Sequence, residues 1–234
     1  MIPSALPPVL AIDGPSGSGK GTVSRCIADV LHWHLLDSGA LYRVLAHVAH
    51  DAGIATGESG ELGRLARAMP VAFIRTADGE ERVLLAGRDV TYAIRTEECG
   101  RRASEIAVLP EVREGLKALQ RDFRHPPGLV ADGRDMGTAI FPDAGLKIFL
   151  TASAEERAQR RYKQLKEKGL NANLHGLFQD ITARDERDQK RAVSPLQPAP
   201  DALVLDTTGM DIQQVVARIL ELARTRFTQA APGY

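Results

Sequence analysis

Cysteine is scarce in this chain. Cys26 and Cys99 are the only thiols among 234 residues, too few for a disulfide framework or a four-thiolate metal site. Net charge is missing as well. Thirty Lys and Arg stand against thirty Asp and Glu, so bulk charge does not direct the chain to nucleic acid or to an anionic membrane, although a local basic site remains open. No apolar run approaches the ~18 residues of a membrane span. Met1 to Pro8 carries neither the basic nor the apolar stretch of a secretory signal. Asparagine occurs only at 171 and 173, neither followed by lysine, so the N-K-x-D that a guanine-specific switch needs is missing. No G-x-G-x-x-G follows the first apolar strand, and dinucleotide binding loses its support. What is present is ordinary for a globular protein: 44% apolar residues for a core and 26% charged residues for solubility. The expectation is a cytoplasmic protein whose length suits a single domain carrying an insert.

Period and punctuation set out the rest. Val9 to Ile12 is a short apolar run ending at Asp13, the pattern of a buried parallel strand. Lys20 to Leu31 places Val23, Ile27, Val30 and Leu31 at helical spacing. Ser38 stands before another helical stretch, with Leu41, Leu45 and Val48 apolar, and is the expected N-cap. From about residue 70 to 95 the texture changes: Val71, Phe73 and Arg75, then Asp78-Gly79, then Val83 to Leu85 read as a β-hairpin. The α/β rhythm then resumes. Pro110 opens a helix to about Phe123, and Leu129 to Ala131 and Leu146 to Leu150 are strands. Ser153 caps a long helix, residues 173–191 are helical and charged, Ala202 to Leu205 is a last strand, and Asp211 caps a last helix. Strands alternating with helices imply a parallel sheet flanked by helices.

Gly14-Pro15-Ser16-Gly17-Ser18-Gly19-Lys20-Gly21-Thr22 matches the phosphate-binding G-x-x-x-x-G-K and lies between a strand and a helix, the setting that gives the motif its meaning. Small residues let backbone N–H groups close around a phosphate, the helix N-terminus adds partial positive charge, and Lys20 adds a full one. The hydroxyl that usually follows the lysine comes one place late. Gly21 occupies that position and Thr22 carries the hydroxyl, so Thr22 is expected to bond a phosphate, leaving Mg²⁺ to phosphates and water. Asp132, at the end of a core strand, either orients Mg²⁺ through water or fixes the loop.

Residues 157–191 hold six arginines (157, 160, 161, 184, 187, 191) and four lysines (163, 166, 168, 190) against five acids, a local surplus in a neutral protein. Such a run is commonly a solvated helical face. Phosphoryl transfer between two nucleotides also explains it. Roughly six negative charges converge, at about two per terminal phosphate group, and guanidinium groups and Mg²⁺ must offset them. No carboxylate base is needed when the acceptor is an ionised phosphate oxygen. Competing readings are a kinase for another small acceptor such as UMP or AMP, and a nucleotide-binding regulatory ATPase. His32 and His34, and His47 and His50, have metal-like spacing but no third ligand near them in sequence. Asp206 to Gly209 mimics a switch D-x-x-G but sits far down the chain, as a turn would.

Several strings, in order across about residues 9 to 208, resemble the bacterial cytidylate kinases of the nucleoside-monophosphate kinase family. They are Gly14 to Thr22; Leu35 to Arg43; Gly87 to Thr91 with Ile94-Arg95-Thr96; Ala103-Ser104 ahead of Pro110 to Arg113; Asp132-Gly133-Arg134-Asp135-Met136-Gly137-Thr138; and Arg184 to Asp188 through Arg191-Ala192-Val193. The resemblance implies an α/β P-loop kinase fold, a parallel sheet flanked by helices with a small antiparallel β insert and a short lid. One domain would span 1–234, with its core in about 9–37, 126–156 and 192–228. A monophosphate-binding region would occupy about 38–125 with the insert at 70–95, and the lid about 157–175. It implies ATP with Mg²⁺ as donor, CMP and dCMP as acceptors, no nucleic-acid or membrane partner, and a monomer. Lys20, Arg134, Arg161 and Arg191 would be catalytic, and Arg43, Arg134 and Arg191 would surround the acceptor phosphate. Ser104, Arg113 and Asp135 would meet the cytosine, and Arg184 and Asp188 the ribose. Arg157 would stack near the adenine while Arg161 bridges phosphates. Ser38 and Asp132 join the substrate-binding set, and Tyr42 either lines the acceptor site or packs in the core. Cytosine suits that set: a carboxylate at Asp135 accepts from its N4 amino group, whereas Arg113 and Ser104 donate to N3 or O2. Uracil reverses the polarity at positions 3 and 4, a mismatch of about 1–3 kcal/mol per buried pair.

Overall fold

A computed structural model describes residues 6–76, 80–167, 169 and 171–228. In chain order the elements begin with β1 (Val9–Asp13), α1 (Lys20–Leu31), β2 (His34–Asp37), α2 (Ser38–Asp51) and α3 (Ser59–Ala68). Then come β3 (Val71–Arg75), β4 (Glu81–Leu85), β5 (Arg88–Asp89), α4 (Glu97–Ile106) and α5 (Pro110–Arg121), followed by β6 (Leu129–Gly133), β7 (Leu146–Thr151) and α6 (Ala154–Glu167). The described chain closes with α7 (Leu174–Gln189), β8 (Leu203–Asp206) and α8 (Ile212–Thr228). A 3₁₀ turn covers Ala93–Arg95, and a π-type turn covers Met136–Ile140. The chain divides into two compact units: Asp37–Asp122 is one, and the segments on either side of it form the other.

The flanking unit is built on a five-stranded sheet in the order β2-β6-β1-β7-β8. β1 runs parallel to both β6 and β7, and β7 runs parallel to β8. All five residues of β1 are buried, as a central strand covered on both faces demands. Leu10, Ile12, Val130, Ile148 and Leu150 from the strands meet Val23 and Ile27 of α1 and Val215, Ile219 and Ala223 of α8. Gly128 makes room for the Trp33 ring, which would stand 2.5 Å from a Cβ there, and Trp33 packs edge-on against Phe227 of α8 at 5.0 Å. The chain leaves the carboxyl end of β1 toward the β2 edge of the sheet and leaves that of its neighbour β7 toward the β8 edge, so the connections part between these two strands. That topological switch point is where open α/β sheets bind ligands.

The Asp37–Asp122 unit holds a separate three-stranded sheet, β3-β4-β5, antiparallel throughout. The period-two reading of residues 71–85 is therefore met, while the Asp78-Gly79 turn lies outside the described residues. Here α3 and α5 approach closely at two glycines. A Cβ on Gly63 would lie 2.9 Å from Glu111 Cβ, and one on Gly115 would lie 2.8 Å from Ala66 Cβ.

Two local expectations need correction, and one helix is unexpected. Ser38 does not cap α2: it is the first helical residue, and the Asp37 carboxylate accepts the Ala40 N–H at 3.0 Å. An N-cap acceptor must reach the third helical N–H, and only the residue before the helix can do so. Val30 does not share the buried stripe of α1 but is 52% exposed. The mixed composition of residues 54–68 offers little helical signal, yet α3 forms there because Leu62 and Ala66 bury against neighbours. Ser153 and Asp211 do cap α6 and α8, accepting the Glu156 and Gln214 N–H groups.

Candidate functional site

The loop from Gly14 to Gly19 leaves the carboxyl end of β1 and enters α1 without any side-chain cap. Gly17 and Gly19 hold positive φ, +78° and +89°, which glycine adopts without penalty. The first-turn N–H groups of α1 are thus left for an anion rather than for the protein's own side chains. Lys20 is buried, and its Nζ donates to the Pro15 carbonyl at 2.7 Å and to Ser18 Oγ at 3.4 Å. Burial, reinforced by the positive charge of Arg134, pulls its pKa down to about 7, against the opposing pull of Asp132 and Asp13. Gly21 is exposed, and a Cβ there would stand 3.4 Å from Asp132 Oδ2. The Asp132 carboxylate therefore lies beside the start of α1.

Two arginines of α6 brace this loop. The Arg157 guanidinium donates to Ser16 O at 2.9 Å, to Ala152 O at 3.0 Å and to Asp185 Oδ2 of α7 at 2.6 Å. Its side chain is 6% exposed. These bonds form a clamp that ties the loop to α6 and α7. Arg160 donates to Ser18 O at 3.4 Å, to Thr207 O at 2.6 Å and to Thr207 Oγ1 at 3.2 Å. Thr207 and Thr208 follow Asp206, whose carboxylate accepts from both the backbone and the side chain of Thr208. The switch-like string is thus an Asx turn that seats Arg160. Arg161 sits further out, with Nη1 donating to Gln164 at 3.3 Å.

Asp188 gathers the next group. It is the penultimate residue of α7 and bonds Arg134 Nε through Oδ2 at 3.1 Å, while Oδ1 pairs with Arg191 Nη2 at 3.3 Å. Burial pushes the Asp188 carboxyl up, but Arg134, Arg191 and Arg184 outweigh it and hold the group below the usual range. Burial likewise pulls the Arg134 guanidinium down, and Asp188 and Asp132 more than restore it. The carboxylate faces Arg134 and Arg191, two of the arginines expected at the acceptor phosphate. A second buried carboxylate, Asp13, accepts the Met136 and Gly137 N–H groups at 2.8 Å each. It stitches the end of β1 to the π-type turn that follows Asp135. Burial raises Asp13 to about 6 in spite of those two bonds. Asp135 is itself buried.

In the Asp37–Asp122 unit, Arg43 of α2 donates through Nη1 to Ile94 O at 2.9 Å and to Thr96 O at 3.1 Å. Ser104 on α4 is buried, and its Oγ has no hydrogen-bond partner among the described residues. Arg113 of α5, also buried, donates to Ala107 O at the end of α4 at 3.1 Å. Gly100, Ser104 and Ala107 share one face of α4 by helical spacing. Arg43, the Ser104 hydroxyl and Arg113 are thereby strung along a single helix. Ser38 is buried and Tyr42 half-buried.

Asp13, Arg160, Asp185 and Thr207 act in this architecture although none is singled out as a site residue by the sequence. Asp13 could have been suspected, as a carboxylate ending an otherwise apolar central strand. The others depend on contacts between distant segments. Among the described residues no cluster of three His, Cys, Asp or Glu side chains could hold a metal ion, and no helix is long and apolar enough to cross a membrane.

A P-loop at the switch point of a parallel sheet, with guanidinium groups gathered on a buried carboxylate of the same unit, defines a P-loop phosphotransferase. The comparisons with known proteins narrow this further. The family model for cytidylate kinase matches residues 10–225, and the chain belongs to the cytidylate kinase family. It is 56% identical over 218 residues to a cytidylate kinase of Azotobacter vinelandii (strain DJ / ATCC BAA-1303), covering 93% of this chain and 95% of the relative. With that of Pseudomonas savastanoi pv. phaseolicola (strain 1448A / Race 6) it shares 58% over 214 residues, covering 91% and 93%. With that of Salmonella arizonae (strain ATCC BAA-731 / CDC346-86 / RSK2980) it shares 53% over 229 residues, covering 97% and 100%.

Proposed function

We propose that this chain transfers the γ-phosphoryl group of ATP to the phosphate of CMP and dCMP, forming ADP with CDP or dCDP. The observation that carries the reading is the uncapped glycine loop with buried Lys20, in one unit with the Arg134–Asp188–Arg191 group. The loop N–H groups and Lys20 take the donor phosphates, Thr22 bonds a phosphate, and Arg161 bridges the phosphates being exchanged. Arg157 acts from behind, keeping the loop in shape. Arg134, Arg191 and Arg43 take the acceptor phosphate. Asp188 keeps the first two oriented, and each of its oxygens retains a lone pair that a ribose hydroxyl, with Arg184 beside it, can use.

Ser104, Arg113 and Asp135 read the cytosine. The Ser104 Oγ, without a hydrogen-bond partner among the described residues, supports this, because a buried hydroxyl without a bond is costly until a ligand supplies one. Asp132, beside the start of α1, suits a water-mediated hold on Mg²⁺, since Gly21 offers no hydroxyl. The ion supplies charge neutralisation on the transferring phosphates. No residue needs to act as a base, because the attacking oxygen is already ionised, and catalysis rests on in-line positioning and guanidinium charge. A lid of about residues 157–175, of which 168 and 170 lie outside the described residues, would close over the donor to exclude water. The scarcity of cysteine suits a reducing cytoplasm, and the chain acts as a monomer.

The test is an acceptor panel: ADP formation with CMP, dCMP, UMP, AMP and shikimate. CMP and dCMP should lead, with UMP behind them by on the order of tenfold or more for each mismatched polar pair. Faster turnover with UMP or AMP would refute the base assignment. Hydrolysis independent of any acceptor would refute the transferase reading.

A further inference from the structure

Gly100 interrupts the interior of α4, where glycine costs roughly 1 kcal/mol relative to alanine. Its φ is not in the left-handed region, so backbone conformation does not require it. Space does. The three atoms nearest to a Cβ built at Gly100 all belong to the Arg43 guanidinium: Nη2 at 2.7 Å, Nη1 at 2.9 Å and Cζ at 3.0 Å. The same guanidinium is also held by the Ile94 and Thr96 carbonyls, both of which accept from Nη1. The base of the side chain is tied as well, through Cys99 Sγ, which contacts Arg43 O at 3.3 Å. The Arg43 guanidinium therefore fills the space that a side chain at Gly100 of α4 would take. Nη1 is engaged, and Nη2 and Nε make no hydrogen bond among the described residues. A guanidinium held by one nitrogen, with the remaining N–H groups in one plane, is prepared for a bidentate grip on phosphate oxygens.

We infer that Gly100 is a positioning residue for acceptor binding: the lack of a side chain there sets the Arg43 guanidinium where it meets the acceptor phosphate. This rests on the assignment of Arg43 to that phosphate. A side chain at Gly100 does not clash with backbone. It clashes with the far end of a long side chain that can swing away. The cost therefore falls on the placement of Arg43 rather than on the fold. Gly100→Ala also regains helix propensity, so its melting temperature should be unchanged or raised.

The experiment compares wild type, Gly100→Ala, Arg43→Ala and the double variant by steady-state kinetics and thermal melting. Gly100→Ala should raise KM for CMP about tenfold, as the loss of a charge-assisted bond does, with KM for ATP unchanged. In the Arg43→Ala background the same substitution should add nothing, since the group it displaces is gone. An unchanged CMP KM in Gly100→Ala, with a raised one in Arg43→Ala, would overturn the inference and leave the assignment of Arg43 standing. An unchanged CMP KM in Arg43→Ala would overturn that assignment instead. A Gly100→Ala effect of equal size with and without Arg43 would show that it does not act through the guanidinium. Loss of fold in Gly100→Ala that Arg43→Ala restores would show that the glycine relieves a clash without setting position. Either of the last two results overturns the inference.

Discussion

Lys20 offers the sharpest test of how the phosphate loop works. In the free protein its ammonium is buried and faces Arg134, and these two effects pull its pKa down to about 7. Bringing the ATP phosphates against Nζ reverses the balance, because several negative charges at hydrogen-bond distance favour the charged form. Nucleotide binding must therefore be accompanied by proton uptake once the pH exceeds the free value. With a free pKa of about 7 and a bound lysine that stays protonated throughout the range tested, the apparent Kd scales as one plus ten to the power of the pH less seven. It should weaken about 50-fold between pH 7 and 9, or about 2 kcal/mol. The window lies above the titration of the ATP terminal phosphate, near pH 6, and above that of Asp13. The assay is calorimetric titration with a non-hydrolysable ATP analogue at pH 8, in buffers of different ionisation enthalpy. About 0.9 proton should be taken up per nucleotide bound. Lys20→Gln should bind more weakly and take up none. A Kd flat from pH 7 to 9, or equal proton uptake in Lys20→Gln, would refute the argument that burial and Arg134 hold this lysine close to neutrality.

Two further perturbations address how the loop is supported. Arg157→Ala removes three hydrogen bonds and leaves Asp185 buried without its partner, so denaturant unfolding should show a loss of about 3–5 kcal/mol, with KM for ATP raised more than KM for CMP. Wild-type stability in that variant would show that the clamp is idle. Gly14 has φ +149°, and a Cβ there would stand 2.0 Å from Leu150 O, whereas Gly53, at φ +70°, has nothing within 4 Å. Gly53→Ala should lower the melting temperature by about 2–4 °C, as for a loss of about 1 kcal/mol. Gly14→Ala should lower it by more than about 8 °C, because backbone strain and a backbone clash add. Comparable shifts would contradict the close approach of the loop to β7.

Where a structural fact depends on neighbours in the chain, the residues declared it. The wrap of Gly14 to Lys20 is one contiguous run between an apolar strand and an amphipathic helix. The hairpin strands around residues 71–85 show their period of two, and the caps at Ser153 and Asp211 lie within three residues of the N–H groups they satisfy. Even the error at Ser38 was a single place. The family strings went further still, because they carry whole sites in fixed order. What no local pattern held was the choice among partners for buried charge. Asp188 has Arg184, Arg187 and Arg191 within four residues, yet it takes Arg134, 54 residues away, together with Arg191. Arg157 reaches back 141 residues to Ser16. A charge removed from water must be matched by whichever opposite charge or carbonyl the packed chain brings within about 3 Å, and only the order of strands around β1 decides which one that is.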